Sequence, residues 1–185
     1  MPRLAEQAIA AWDGSPVRVE LVSVSENLVF RVDTSTSTSY ALRIHRPGYH
    51  TLPELESEVQ WTRALSESGI GVPVAIPARD GHCYVEVGLP GTNDTRFVGL
   101  SRWFTGRPLS KLTAEATDER GRPPHSPGLG RLIAAMHDQA VAWRPPAGFS
   151  RHAFDADGLM GEAPFWGRFW EAQPLSPAQQ AVLAS

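Results

Sequence analysis

The chain reads as an α+β fold, a small antiparallel sheet followed by helices, on three observations. Leu28, Phe30 and Val32 alternate with Val29, Arg31 and Asp33, the period of a half-buried strand. Tyr40, Leu42 and Ile44 alternate in the same way with Ala41, Arg43 and His45, and the Ser/Thr-rich stretch from Thr34 to Ser39 joins the two as a hairpin. The pattern then changes to helical spacing. Thr51-Leu52-Pro53-Glu54 is a capping box with proline in the first turn, and the helix it opens runs to about Ser68, where Gly69 stops it.

Arg43 shares a strand face with Ala41 and His45, and a cation on the inner face of a small sheet needs an anion or water beside it. On a wheel of about 100° per residue, Leu52, Leu55, Val59 and Leu65 form the apolar stripe of the following helix, and Glu58 falls inside that stripe. An inward carboxylate needs a partner as much as the arginine does, so the two are expected to pair.

The other elements follow in order. Leu4, Ala8, Ile9 and Trp12 have helical spacing, and Asp13-Gly14-Ser15-Pro16 ends that helix. Val17 to Val22 is a first strand, with Val17, Val19 and Leu21 on one face. Val74 to Pro77 and His82 to Val87 are strands around an Asp80-Gly81 turn, and Thr95 to Phe104 is the last strand of the sheet. From Ala114 to Gly128 the composition is polar and proline-rich, which predicts a mobile loop or insertion. Leu129, Leu132, Ile133, Met136 and Ala140 then return to helical spacing, with His137-Asp138 at the helix end and His137 expected to pack between lobes. Phe149 to Pro174 is aromatic with little regular patterning, and Ser176 to Gln179 is a second capping box with proline at the first helical position.

Bulk properties exclude several classes. With 42% hydrophobic residues, the 185-residue chain can bury a core. A net charge of −3 gives no electrostatic case for nucleic acid. No apolar run is long enough to span a bilayer and the N-terminus lacks the apolar core of a signal peptide, so a cytoplasmic protein is expected. Cys83 stands alone, which excludes an internal disulfide and a cysteine metal site and predicts a small buried strand residue.

A strand cation paired with a helix carboxylate, after a turn between antiparallel strands, is how kinases hold the phosphates of ATP. Ser25-Glu26-Asn27-Leu28-Val29-Phe30-Arg31-Val32, Ala41-Leu42-Arg43-Ile44-His45-Arg46-Pro47-Gly48, Ser57-Glu58-Val59-Gln60-Trp61, Trp103-Phe104-Thr105-Gly106-Arg107 and Leu129-Gly130-Arg131-Leu132-Ile133-Ala134-Ala135-Met136-His137 resemble the aminoglycoside phosphotransferase family, nearest to its stress-response kinase and homoserine kinase type branches. The resemblance implies a protein-kinase-like fold, with residues 1–106 as the nucleotide-binding N-terminal lobe and hinge and 107–185 as the start of a helical C-terminal lobe. It implies ATP and Mg2+ as cofactors and a hydroxyl-bearing substrate as partner. Ser25, Glu26, Asn27, Arg43 and Glu58 would then lie at the phosphates, and Ser101 and Trp103 at the hinge that meets adenine. Trp166, Arg168 and Trp170 fall near the acceptor side in relatives. Two departures stand out: the turn from Ser23 to Asn27 has no glycine, and Arg43 stands where many relatives have lysine.

The family carries its catalytic aspartate, and the asparagine and aspartate for magnesium, in segments beyond the helix that begins at Ser176. No catalytic residue and no metal ligand is therefore expected within this chain, which looks like a fragment and by itself inactive. Asp155 and Asp157 are spaced like a metal pair but read as solvated loop carboxylates. Two other readings stay open: a non-catalytic nucleotide-binding or interaction module, and an unrelated α+β domain in which Arg43 and Glu58 lie far apart.

Overall fold

The computed structural model describes residues 2–13, 16–89, 91–107, 126–172 and 175–183. They fall into two compact units, Met1–Phe149 and Ser150–Ser185. The expected lobe boundary at 106/107 abuts residues 108–125, which lie outside the described residues.

The first unit is built on a five-stranded antiparallel sheet, β1 (Pro16–Val24), β2 (Leu28–Thr34), β3 (Ser39–Ile44), β4 (Tyr84–Gly88) and β5 (Thr95–Arg102), in the order β1-β2-β3-β5-β4. The alternation read from the sequence sorts side chains as expected. Phe30, Val32, Leu42, Ile44, Val98 and Leu100 are buried on one face, where they join Leu4, Ala5, Ala8 and Ile9 in one cluster. Those last four come from helix α1 (Pro2–Ile9). Each large aliphatic buried this way contributes about 1.5–3 kcal/mol. Trp12, just past α1, is buried and donates its indole N–H to the carbonyl of Ile76 at 2.7 Å, so the chain following α1 is tied to the sheet by packing and a hydrogen bond.

The β2–β3 hairpin closes through side chains as well as backbone. Asp33 accepts from the Ser39 hydroxyl at 2.6 Å and from Arg31 Nε at 2.9 Å. Those two hydrogen bonds, Ser39 first, hold its carboxyl below the usual carboxylate pKa.

Helix α2 (Leu52–Glu67) covers part of the other face. The Thr51 backbone N–H donates to the Glu54 carboxylate at 2.9 Å, closing the predicted capping box. Gly69 adopts φ +81°, and the Ile70 N–H turns back to the Leu65 carbonyl at 3.0 Å. Leu55, Val59 and Leu65 are buried as the wheel requires, whereas Leu52 at the first position is exposed.

Several expectations are corrected. Val74 to Pro77 is not a strand but one bridge, Ala75 to Ser101, beside a hydrogen bond from Ile76 N–H to the Leu100 carbonyl at 2.7 Å. Pro73 and Pro77 flank it, and proline has no N–H to extend a ladder. Of the face read for the first strand, Val19 packs against the core, whereas Val17 and Leu21 are exposed, because β1 is an outer strand of the sheet. Cys83 is half-buried just before β4.

Helix α3 (Ser126–Ala142) starts earlier and ends later than the spacing predicts. Ser126-Pro127-Gly128, expected in the loop, form its first turn, with proline where a helix tolerates it. His137 lies inside this helix, not at its end, and its side chain is exposed. No residue of α3 is buried, although Trp61 of α2 donates its indole N–H to Gln139 at 3.3 Å.

In the second unit the segment expected to lack pattern carries α4 (Ala156–Met160) and a 3-10 turn (Phe169–Glu171), and α5 (Pro177–Leu183) follows. Asp155 caps α4 by accepting from the Gly158 N–H at 2.8 Å. His152 stacks on Phe165 at 3.6 Å and Phe154 on Trp166 at 5.0 Å, so aromatic rings rather than aliphatic packing organise this unit. Among the described residues no helix is long and apolar enough to cross a membrane.

Candidate functional site: a cavity beside Arg43 and Glu58

The face of the sheet opposite the α1 core carries the side chains that the register puts side by side. Val29 pairs with Arg43 and Arg43 with Gly99, while Ala41 pairs with Ser101. Directly opposed residues in an antiparallel pair project to the same side. Between this face and α2 lies a cavity of about 330 Å3, whose lining includes Val29, Ala41, Arg43, Glu58, Tyr84 and Ser101.

Arg43 donates to Glu58 within this cavity wall, as strand alternation and helix wheel each predict. The Arg43 side chain keeps 38% of its exposure and that of Glu58 24%. Burial pulls the guanidinium pKa down, but the Glu58 charge and hydrogen bond, with Tyr84 beside them, outweigh it and hold the pKa above its ordinary value. Arg43 is a fixed cation. A guanidinium has five N–H donors, so the groups not held by Glu58 and Tyr84 can meet an anion in the cavity.

The sequence reading missed Tyr84 and Gly99. A Cβ at position 99 would sit 2.7 Å from the Tyr84 ring, so the glycine is the seat on which the ring lies across β5. An isolated glycine inside a strand is the signal that could have found this close approach. Burial, then the Glu58 charge, pushes the Tyr84 hydroxyl up to about 12, so it stays protonated. His45 stands edge-on to the Tyr84 ring at 5.4 Å. It is buried, with neither ring nitrogen hydrogen-bonded, and burial followed by the charge of Arg43 lowers its pKa to about 3. It touches the site only through the Tyr84 ring and itself lines the neighbouring cavity at the Ser25–Asn27 turn.

The other predicted residues are placed elsewhere. Ser25, Glu26 and Asn27 line a separate cavity of about 230 Å3 that also includes Leu4 and Ile44. Glu26 pairs with Arg46 at 3.0 Å, and the Asn27 side-chain carbonyl accepts the Arg46 N–H at 3.1 Å. Those contacts tie the turn to the end of β3. Ser101 faces the Arg43 cavity, whereas Trp103 lies past the end of β5, its backbone N–H donating to the Ser39 carbonyl at 3.1 Å and its ring 5.3 Å from the Arg31 guanidinium.

In the second unit, Arg168 donates to the Glu162 carbonyl at 2.8 Å and pairs with Glu171 at 3.1 Å. Trp166 stacks on Phe154, and Trp170 packs edge-on to Phe169. Asp155 is spent on its helix cap.

Among the described residues that line the Arg43 cavity, Glu58 is the one carboxylate, and Arg43 occupies it. Mg2+ is held through carboxylates, phosphates and water at near-octahedral geometry. This donor set does not fit the ion, and no catalytic step is assigned to it.

Comparison with solved structures finds the same fold elsewhere. The microcompartment-associated aminopropanol kinase superposes with a TM-score of 0.76 at 30% identity, covering 97% of this chain and 53% of that one. An amicoumacin kinase in complex with AMP-PNP, Ca2+ and Ami gives a TM-score of 0.68 at 18% identity, covering 96% of this chain and 48% of that one. The chain thus spans about half the length of the solved structures it matches, and its α+β architecture is that of the kinase-like fold. A search of curated proteins finds no match. The model of the phosphotransferase enzyme family matches residues 18–183, from β1 through α5, and the chain belongs to that family.

Proposed function

We propose that the cavity beside Arg43 and Glu58 takes up ATP, and that the chain supplies the nucleotide-binding part of a kinase that moves the γ-phosphoryl group to the hydroxyl of a small molecule. The observation that carries this reading is the Arg43–Glu58 pair set in the wall of a cavity whose other lining includes the small apolar side chains Val29 and Ala41. Flat aromatic bases are held by apolar walls, and phosphates by oriented cationic donors. The small-molecule acceptor is supported by the 30% identical neighbour, which is an aminopropanol kinase.

The chain by itself binds ATP weakly and transfers no phosphate, because among the described residues the cavity offers no free carboxylate for a metal that would neutralise the triphosphate. The same shortage of carboxylates also favours a second reading, a nucleotide-binding module that works without catalysis.

Titration of the purified chain with a fluorescent ATP analogue, competed by unlabelled ATP, tests the proposal. Saturable binding that Arg43→Ala weakens about tenfold, corresponding to the loss of one charge-assisted contact, is expected. Binding unchanged in the variant refutes the site. Magnesium-dependent ATP turnover by the wild-type chain, lost in Arg43→Ala, refutes the claim that the chain transfers no phosphate.

A further inference from the structure

β1 is one of the two outer strands of the sheet, nine residues long, and among the described residues no strand pairs with one side of its backbone. Such an edge is a template for pairing with another chain unless its side chains forbid it. Here they select one partner. Leu21 is 44% exposed and, opposite the buried Phe30, lies on the α1 side of the sheet. Arg18 and Glu20 lie on the opposite side and touch at 2.9 Å.

Within the sheet these two charges already face opposite ones, because Arg18 pairs with Asp33 and Glu20 with Arg31. We propose that two copies of this chain pair along β1, antiparallel about a twofold axis at Val19, joining two five-stranded sheets into one of ten strands.

In that register Arg18 faces Glu20 of the second copy, and Glu20 faces its Arg18. One row across the joined sheet then reads Asp33, Arg18, Glu20, Arg31, and the other reads the same in reverse, so the sign alternates at every step. On the α1 side Val19 of one copy meets Val19 of the other. A twofold at Arg18 or at Glu20 would instead set like charges directly opposed, which is destabilising.

Irregularities between Pro16 and Arg18 and between Leu21 and Ser23 bound the regular stretch at both ends. Pairing is thereby confined to the segment that carries the pattern, and growth of a longer ladder is blocked. The contact is short, so the dimer is weak and forms in the upper micromolar range.

Sedimentation equilibrium on the intact chain, from about 10 µM to about 500 µM, tests the proposal, with circular dichroism as the check on folding. The wild type is expected to shift from monomer to dimer across this range. Glu20→Arg alone is expected to weaken the dimer at least tenfold. The double variant Arg18→Glu with Glu20→Arg restores opposite charges between its own copies, so it pairs with itself and not with the wild type. A wild type that stays monomeric throughout overturns the proposal. So does a dimer that Glu20→Arg leaves unchanged, which would place the interface elsewhere, such as the exposed face of α3. Should Glu20→Arg fail to fold, the mixture of the double variant with wild type decides: free heterodimer formation overturns the twofold at Val19.

Discussion

Acidification from pH 7 to pH 5 should destabilise the first unit through one residue, His45. The residue is 4% exposed, among the described residues neither ring nitrogen has a hydrogen-bond partner, and Arg43, Glu58 and His50 are the charges that face it. Its pKa is depressed from 6.5 to about 3 in the folded chain. Above pH 6.5 the ring is neutral in both states and pH has no effect through it. Below 6.5 the unfolded chain binds a proton that the folded chain refuses, so stability falls at about 1.4 kcal/mol per pH unit until the folded pKa is reached. At pH 5, about 1.5 units below the unfolded value, the loss is ~2 kcal/mol. With a urea slope of about 2 kcal/mol per molar, the unfolding midpoint should drop by ~1 M between pH 7 and pH 5. His45→Leu removes the titrating group, and its midpoint should move less by that amount, whatever its own stability at pH 7. Equal pH shifts in the wild type and His45→Leu would refute the claim that His45 is held neutral by burial.

Three further outcomes follow from the site and its surroundings. Replacing Arg43 by Met, or Glu58 by Leu, leaves a half-buried charge alone, so each single change should cost about 1–2 kcal/mol in urea unfolding, while the double change costs less than the worse single one. Gly99→Ala puts a methyl group 2.7 Å from the Tyr84 ring and should destabilise by about 1–3 kcal/mol, with most of the loss recovered when Tyr84→Leu is added. Leu132 and Ile133 on α3 are 45% and 44% exposed, so changing both to Gln should cut hydrophobic-dye binding and aggregation with a stability change within about 0.5 kcal/mol each, read by thermal unfolding.

β2, β3 and α2 were legible in the sequence because a periodicity reports a face without needing to know the neighbour. Two such faces, read separately, sufficed to bring Arg43 and Glu58 together. The same logic fails for Val17 and Leu21: alternation marks a face that could be buried, but whether anything covers it depends on strand order, and β1 is at the edge. Tyr84 was invisible as a site residue because its position depends on Gly99, fifteen residues on and fixed by the β4–β5 register. The turn from Ser25 to Asn27 sits at a strand end, where side chains can leave toward either face, and Arg46 draws Glu26 and Asn27 away from Arg43. Val74 to Pro77 has the composition of a strand but prolines at its borders, and the missing donors outweigh the apolar run.

Backbone amide spectra of the 15N-labelled chain during titration with ATP test the central claim most directly, since they report where the nucleotide sits as well as whether it binds. The account predicts saturable shifts confined to the lining of the Arg43 cavity, at Val29, Ala41, Glu58, Tyr84 and Ser101, with an affinity near millimolar and loss of the shifts in Arg43→Ala. Shifts centred on Ser25 to Asn27 and Arg96 instead, or no change at the Arg43 cavity up to about 10 mM ATP, would contradict it.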